Sequence, residues 1–259
     1  MPAGSVASVL DAHRQAAFTL RLEWGPTGAA AIGPGCAVAV VVDVLSFTTT
    51  VTVAADRGIA VLPHRWENDD AARVVAVAND AVLAVGRSRA RPGQVSLSPG
   101  TVRRAHDLRR LVLPSPNGSA ISAGLAREVP VVVAVSLRNR HAVAAWLLDR
   151  YAADDSNVAV ICSGERWPDG TLRPAVEDLW GAGALVDALI AGGWHDVAPE
   201  AVAAGAAFRA VQGDVGAAVR ACASGRELID VGFPDDVEIA AELDRSASVP
   251  VLRDGAFRV

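Results

Sequence analysis

The chain has 259 residues, 51% of them apolar, so it is long and apolar enough to bury a substantial core. Charged residues make up 20% of the chain and its 23 Gly and 14 Pro are scattered, which argues against a disordered or fibrous protein. A net charge of -5 gives no general field for nucleic acid, and no apolar run approaches the roughly 20 residues of a membrane helix.

Predicted strands and helices alternate through most of the chain. Residues 18–24 alternate apolar and polar positions, which predicts an edge strand, whereas the β-branched run 37–45 predicts a central strand covered on both faces. Further strands are predicted at 59–62, 81–85, 111–113, 129–135, 158–161 and 249–252. Helices are predicted at 48–56, 66–79, 119–127, 140–151 and 176–191. The alternation predicts an α/β protein, a three-layer α/β/α fold with a mostly buried mixed sheet.

After Gly193 the pattern changes to three Ala-rich helical stretches, 199–211, 215–224 and 234–243, before the last strand. These stretches would form either a helical subdomain or amphipathic helices packed on one face of the sheet. We favour packing on the sheet, and we expect one domain over residues 1–259.

Asp43 is the first candidate site residue. It interrupts the most apolar predicted strand just before its end, and Ser46 with three threonines leads from it into a helix. In open α/β sheets ligands bind beyond the carboxyl ends of strands, where helix N-termini present free N–H groups to anions. Asp43 would therefore hold Mg²⁺ beside a bound phosphate, or it would simply cap the helix.

Two further strand ends carry candidates for anion binding. Asn117, Gly118 and Ser119 lie in a turn whose amides and hydroxyl would cradle an anion, the alternative being a plain turn with Ser119 as helix cap. Arg138 and Asn139 follow the strand predicted at 129–135. Arg138 would bind an anion there and Asn139 would cap the next helix.

The polar loop after the strand at 158–161 leads into a helix that begins with two acids. The segment contains Ser163, Glu165, Arg166, Asp169, Arg173, Glu177 and Asp178. The helix dipole favours the ionised forms of Glu177 and Asp178, which suits a hard cation, although a solvent-facing helix start has the same composition. Because neighbouring positions diverge by about 100° on a helix, one of the two would ligate the ion and the other would orient water or a neighbouring group. We assign Glu165, Arg166 and Asp169 to a loop rim.

The sequence lacks a Gly-rich phosphate loop, a paired-His metal signature and a nucleophile elbow. Its three cysteines, Cys36, Cys162 and Cys222, are widely spaced in apolar surroundings, which predicts neither a disulfide framework nor a zinc site. We therefore expect a reducing cytoplasm. The first 15 residues lack the basic start and apolar core of a signal peptide, so no targeting segment is expected.

Five motifs, in their order and spacing, resemble the 2-phosphosulfolactate phosphatase family over nearly the whole chain. They are DVLSFTTT at 43–50, PNGS at 116–119, SLRN at 136–139, ICSG with VEDLWGAGALVD at 161–187, and SGRELIDVGFPDDVE at 224–238. The resemblance implies an α/β/α fold peculiar to the family, a Mg²⁺-dependent phosphatase and a homodimer. It also implies a small substrate that carries phosphate, carboxylate and sulfonate.

The family's motifs fall on particular residues of this chain. They are Asp43, Asn117, Gly118, Glu177, Asp178, Gly225, Arg226, Asp235 and Asp236. Two departures are clear. Ser46 stands where the family usually has Arg, and Arg87 stands where it usually has Glu.

We accordingly expect a Mg²⁺-dependent hydrolase of a small anionic phosphomonoester, such as 2-phosphosulfolactate. Its catalytic and metal-binding residues would be Asp43, Glu177 and Asp178. Its substrate-binding residues would be Asn117, Gly118, Ser119, Arg138, Ser163 and Arg226. A metal-activated water is the preferred attacking group, with an aspartyl phosphate on Asp43 as the rival. The alternative, suggested by Arg87, is a catalytically inactive protein that binds a phosphorylated or sulfonated metabolite.

Overall fold

The computed structural model describes residues 12–65, 69–151 and 156–259. Its strands are β1 (Leu20–Trp24), β2 (Val38–Val42), β3 (Ala60–Arg65), β4 (Val82–Leu83), β5 (Arg110–Ser115), β6 (Val131–Val135), β7 (Val158–Cys162), β8 (Glu165–Arg166), β9 (Leu172–Arg173), β10 (Val251–Arg253) and β11 (Ala256–Arg258). Its α-helices are α1 (Gly25–Ile32), α2 (Phe47–Ala55), α3 (Asp69–Ala78), α4 (Pro99–Arg104), α5 (Gly118–Leu125), α6 (Arg140–Arg150), α7 (Val176–Ala191), α8 (Pro199–Val211), α9 (Val215–Ala221), α10 (Ala223–Asp230) and α11 (Pro234–Ala240).

Nine strands form one mixed sheet in the order β1-β7-β2-β6-β10-β11-β3-β5-β4. All pairings within the group β1, β7, β2 and β6 are parallel, and so are those within the group β3, β5 and β4. The antiparallel hairpin β10–β11 lies between these two groups and pairs with each through a single bridge, Val251 with Val133 and Phe257 with Val61. The predicted edge strand is β1 and the predicted central strand is β2, as expected.

The central strand shows why the fold has three layers. Side chains alternate across a strand, and every residue of β2 is fully buried. Val38, Val40 and Val42 join one hydrophobic core, whereas Ala39 and Val41 join the core on the opposite face. A continuous β-branched run therefore marked a strand covered on both faces, and the three-layer prediction is confirmed.

Helices cover both faces of the sheet. The first core takes side chains from α6, α7, α8, α9 and α11, and the second from α1, α2, α4 and α5. The Ala-rich helices α8, α9 and α11 thus contribute to the first core, and α8 also contacts β1. The helix predicted at 215–224 is divided into α9 and α10, because the backbone at Cys222 is extended, with φ -67° and ψ 162°.

Several elements differ from their predictions. The helices α1 and α4 and the strands β8, β9 and β11 were missed. Both missed helices are short and carry Pro in their first turn, a helix-start signal that outweighed their weak periodicity. Residues 66–68 of the helix predicted at 66–79, and residues 1–11 of the segment examined for targeting, lie outside the described residues. Among the described residues, no helix has both the length and the apolar character needed to cross a membrane.

Close packing of α7 on α8 makes a first testable prediction. A Cβ atom at Gly183 would lie 1.9 Å from the carbonyl oxygen of Ala204, whereas the nearest atom to one at Gly205, on the opposing helix, would be a flexible Arg209 nitrogen at 3.4 Å. Because Gly183→Ala must force the helices apart, we expect it to lower the free energy of unfolding by about 1–3 kcal/mol. Urea denaturation should give Gly205→Ala a free energy of unfolding near that of the wild type. Equal losses of stability in the two variants would contradict this packing.

Candidate functional site

Two cavities share Arg87 as a lining residue. The smaller cavity, of about 120 Å³, lies where the loops after β2 and β5 meet. Its charged and amide side chains are Asp43, Arg87, Asn117 and Glu165. The loops belong to strands on opposite sides of the β10–β11 hairpin in the sheet. The cavity therefore joins residues from both parallel groups.

Asp43 lies directly after β2, and its carboxylate joins two helix starts. One oxygen, Oδ1, accepts a hydrogen bond from the backbone N–H of Phe47, the first residue of α2, at 3.1 Å. The other, Oδ2, accepts from the N–H of Gly118, the first residue of α5, at 3.0 Å. Asp43 therefore bonds to the start of α2, as the capping alternative expects, and it also lines the smaller cavity. Metal binding by Asp43 stays a prediction.

The pKa of Asp43 is raised to about 7, first by burial and then by the negative charges of Glu165 and Glu177, while two backbone hydrogen bonds act to lower it. A carboxyl group in this environment retains its proton near neutral pH far more readily than an exposed aspartate does. The ionised form needs a compensating positive charge.

Gly118 lies against Asp43 and Phe47, and Asn117 lines the smaller cavity beside Asp43. A Cβ atom at Gly118 would lie 2.5 Å from Cδ1 of Phe47 and 2.7 Å from Oδ2 of Asp43, so no larger residue fits without movement. The Asn117 side chain donates to Glu165 at 3.1 Å and accepts from Nε of Arg166 at 3.3 Å. The glycine of the Asn-Gly motif thus allows the start of α5 to lie directly against Asp43.

Asp178 makes a second carboxylate bridge. Its Oδ1 accepts from the N–H of Val44 at 2.7 Å and its Oδ2 from the N–H of Gly164 at 2.8 Å, which ties together the loops after β2 and β7. Burial raises its pKa well above the ordinary value, and the charges of Asp43 and Glu177 add to this. Asp178 and Asp43 therefore belong to one electrostatic cluster.

Glu177 and Ser163 contribute buried polar atoms without partners among the described residues, namely Oε2 and Oγ. Glu177 adjoins Cys222, whose thiol pKa is raised to about 12, first by burial and then by the Glu177 charge. All three cysteines are buried and free. Buried polar groups are normally hydrogen-bonded, so these two orphan oxygens are unusual, although neither Glu177 nor Ser163 lines the smaller cavity.

Glu165 corrects the assignment of the loop after β7. The short β8–β9 hairpin holds Glu165 half-buried in the lining of the smaller cavity, where burial raises its pKa. Arg166 and Asp169 are exposed and do remain at the rim. The available signal was position, since Glu165 lies in the loop after β7, three residues beyond Cys162, much as Asp43 begins the loop after β2.

Of the predicted substrate contacts, Asn117 lines the smaller cavity, and Gly118, Ser119, Arg138, Ser163 and Arg226 do not. The Ser119 hydroxyl is fully buried, donates to the His64 carbonyl at 2.6 Å and accepts from the Ser115 N–H at 3.2 Å, so it ties the ends of β3 and β5 together. Arg138 is paired with Asp56 at 2.7 Å and contacts Glu242. Arg226 is exposed on α10 and lines no described cavity near Asp43.

The two departures from the family pattern contact each other. Arg87 donates through Nη2 to the Ser46 hydroxyl and through Nε to Asp236 at 2.7 Å. Asp236 is 1% exposed and also accepts from the Ser98 hydroxyl. A guanidinium group therefore reaches Ser46 from a distant part of the sequence. Asp235 is exposed, 3.8 Å from Arg104.

A metal site would have to use few protein ligands. Within the described residues, no group of three or more His, Cys, Asp or Glu side chains is arranged to hold a metal ion. Asp43 and Asp178 already accept backbone hydrogen bonds at both oxygens, although each oxygen can accept more than one.

The fold and this acidic cavity define an α/β enzyme whose site lies at strand ends. The family model described as 2-phosphosulpholactate phosphatase matches residues 31–255. The chain is 32% identical to a probable 2-phosphosulfolactate phosphatase of Deinococcus radiodurans over 84% of this chain and 88% of that protein. It is 32% identical to one of Thermus thermophilus, over 83% and 88%, and 33% identical to one of a Synechococcus strain, over 85% and 91%. The chain belongs to the 2-phosphosulpholactate phosphatase family and is a phosphoric monoester hydrolase.

Proposed function

We propose that the protein hydrolyses 2-phosphosulfolactate or a closely related phosphorylated acid with the help of Mg²⁺ and releases phosphate. The observation that carries this proposal is Asp43, a buried carboxylate that lines the smaller cavity within electrostatic range of Glu165 and Glu177. Acids concentrated beside a cavity suit a cation that in turn binds a phosphate. The relatives support the same substrate, since their names state it.

The donor set fits Mg²⁺. Glu177 supplies a buried carboxylate oxygen without a described partner, and Asp43 supplies a carboxylate in the cavity lining. Mg²⁺ commonly binds through one or two carboxylates together with waters and substrate phosphate, so a site with few protein ligands suits it. When bound, Mg²⁺ would offset phosphate charge and lower the pKa of a coordinated water. Asp43 and Glu177 would hold it, and Asp178 would keep the loops that carry them together.

The other polar residues have separate tasks in this proposal. Asn117 lines the smaller cavity and would donate a hydrogen bond to a substrate oxygen. Ser163, whose buried hydroxyl has no described partner, would donate another. Asp43 either helps to hold the attacking water or attacks phosphorus itself. Trapping of phosphate on the protein during turnover separates these routes, since only attack by Asp43 forms an acyl phosphate.

The experiment is a phosphate-release assay with 2-phosphosulfolactate. We expect turnover on the order of 1–100 s⁻¹ with Mg²⁺ and loss of activity with excess chelator, restored by added Mg²⁺. A panel of small phosphoesters measured in parallel defines selectivity. Absence of phosphate release, combined with a ligand-induced rise in melting temperature, would instead favour a binding protein.

Homodimerisation stays a prediction from the family resemblance, and a cytoplasmic location stays a prediction from the cysteine usage. Light scattering coupled to size-exclusion chromatography tests the first of them.

A further inference from the structure

Arg87 lies between two cavities. A larger cavity of about 530 Å³ lies between the segment 87–105 and the start of α11, and Arg87 lines both this cavity and the smaller one. Among the described residues that line the smaller cavity, Arg87 is the sole cation, alongside the acids Asp43 and Glu165. An anion that enters the smaller cavity therefore has one guanidinium group to bind.

The Arg87 guanidinium is held in place and still has free donors. Nε donates to Asp236 and Nη2 to Ser46, while the Arg87 side chain is 20% exposed. Arginine carries five N–H donors, so these two bonds leave three for a ligand. Asp236 is itself fixed by Ser98, which limits the motion of the guanidinium. A pre-positioned planar fork of this kind matches a carboxylate or sulfonate.

The larger cavity has room and charge for the rest of a substrate. Its volume lies in the range of about 300–1,000 Å³ typical of small-molecule sites. Arg91 and Arg104 line it together with Arg87, and Asp235 and Asp236 are its acids. Asp236 is already bonded to Arg87 and Asp235 lies near Arg104, so Arg91 adds an unbalanced positive charge.

We propose that Arg87 binds the second acid group of the substrate, a carboxylate or sulfonate close to the phosphorylated carbon, and that this end of the substrate faces the larger cavity. The proposal rests on the proposed phosphatase function and names the residue that selects its substrates. A phosphate bound beside Asp43 and Asn117 leaves the second acid to the adjoining wall, where Arg87 lies. Arg87 would thus discriminate doubly acidic phosphoesters from esters of uncharged alcohols.

A pair of esters tests this role of Arg87. In 2-phosphoglycerate a carboxylate replaces the hydroxymethyl group of glycerol 2-phosphate, and the rest of the molecule is the same. We expect Arg87→Gln to lower the ratio of kcat/KM for the two esters about 10- to 100-fold, mainly through KM, because a charge-assisted hydrogen bond is lost. Arg87→Lys should recover part of the ratio. The matched control is Arg127→Gln, an exposed arginine outside both cavities, which should leave the ratio unchanged.

An equal fall of kcat/KM for both esters leaves their ratio unchanged and would overturn the proposal, because Arg87 would then act only through Asp236 and the site structure. Calorimetric binding of 2-phosphoglycerate without added metal gives a second readout that does not need turnover. If neither ester is hydrolysed, the phosphatase proposal fails for these substrates. Binding that is lost in Arg87→Gln and kept in Arg127→Gln would still support the anion site, and equal binding in both variants would refute it.

Discussion

Asp43→Asn is expected to lower kcat/KM with Mg²⁺ about 100- to 10,000-fold while the protein stays folded. Asparagine has nearly the same shape and keeps one oxygen that can accept from the N–H of Phe47 or Gly118. It removes the negative charge that a metal ion or an attacking carboxylate requires. Loss of a hydrogen bond is offset by relief of repulsion with Glu165 and Glu177, so the melting temperature should stay near that of the wild type.

The stability of the metal-free protein gives an independent measure of the same carboxylate. The folded-state pKa of Asp43, about 7, lies above the unfolded value of about 3.9, so the folded protein binds this proton more tightly. The contribution of this proton to wild-type stability should therefore be lost as pH rises from about 4 through about 7 and should level off above that, and Asp43→Asn should not show this loss. The melting temperature of the variant relative to the wild type should be higher at about pH 8 than at about pH 6.

A matched control for Asp43→Asn is Asp149→Asn, an exposed carboxylate on α6. Both variants remove one negative charge, so a general charge effect would appear in both. Steady-state phosphate release with Mg²⁺, together with circular dichroism, measures the outcome. Near-normal activity of Asp43→Asn would remove Asp43 from the proposed mechanism.

The layered fold could be predicted because it follows from periodicity within single segments. β2 reads as an uninterrupted apolar run, and its successive residues enter opposite cores. The order of strands could not be predicted. The hairpin β10–β11 pairs with β6 and β3 through one bridge each, and these pairings depend on the packed sheet rather than on local sequence.

The site was predictable to the extent that its residues follow strands. Asp43 and Asn117 were selected by that rule and Asp178 as an acid at a helix start, but the strand-end rule also selected Arg138, which pairs with Asp56 and contacts Glu242 instead. A strand end gives no information on which other ends lie beside it. The contact between Arg87 and Asp236 spans 149 positions of sequence. The Arg87 guanidinium group that contacts Ser46, where the family usually has Arg, could therefore be identified only in the folded protein.

Gly118→Ala is expected to impair both stability and activity, since the added methyl group has no free space. Its Cβ would lie 2.5 Å from the Phe47 ring and 2.7 Å from the Asp43 carboxylate. If α5 moves away, the bond from the Gly118 N–H to Asp43 breaks; if Phe47 moves, its edge contact with Phe257 is lost. We expect the free energy of unfolding to fall by about 1–3 kcal/mol and kcat/KM to fall about 100-fold.

Gly124→Ala is the matched control, because Gly124 lies on the same helix and a Cβ there would have no atom within 4 Å. Alanine favours a helix interior over glycine by about 0.5–1 kcal/mol, so this variant should be as stable as the wild type or more so. Urea denaturation and phosphate release at a temperature where both variants are folded compare them directly. Because the two substitutions are chemically identical, a loss confined to Gly118→Ala can be assigned to the contact with Asp43 and Phe47. Equal behaviour of the two variants would show that the wall of the smaller cavity yields to a methyl group, and that Gly118 does not fix the position of Asp43.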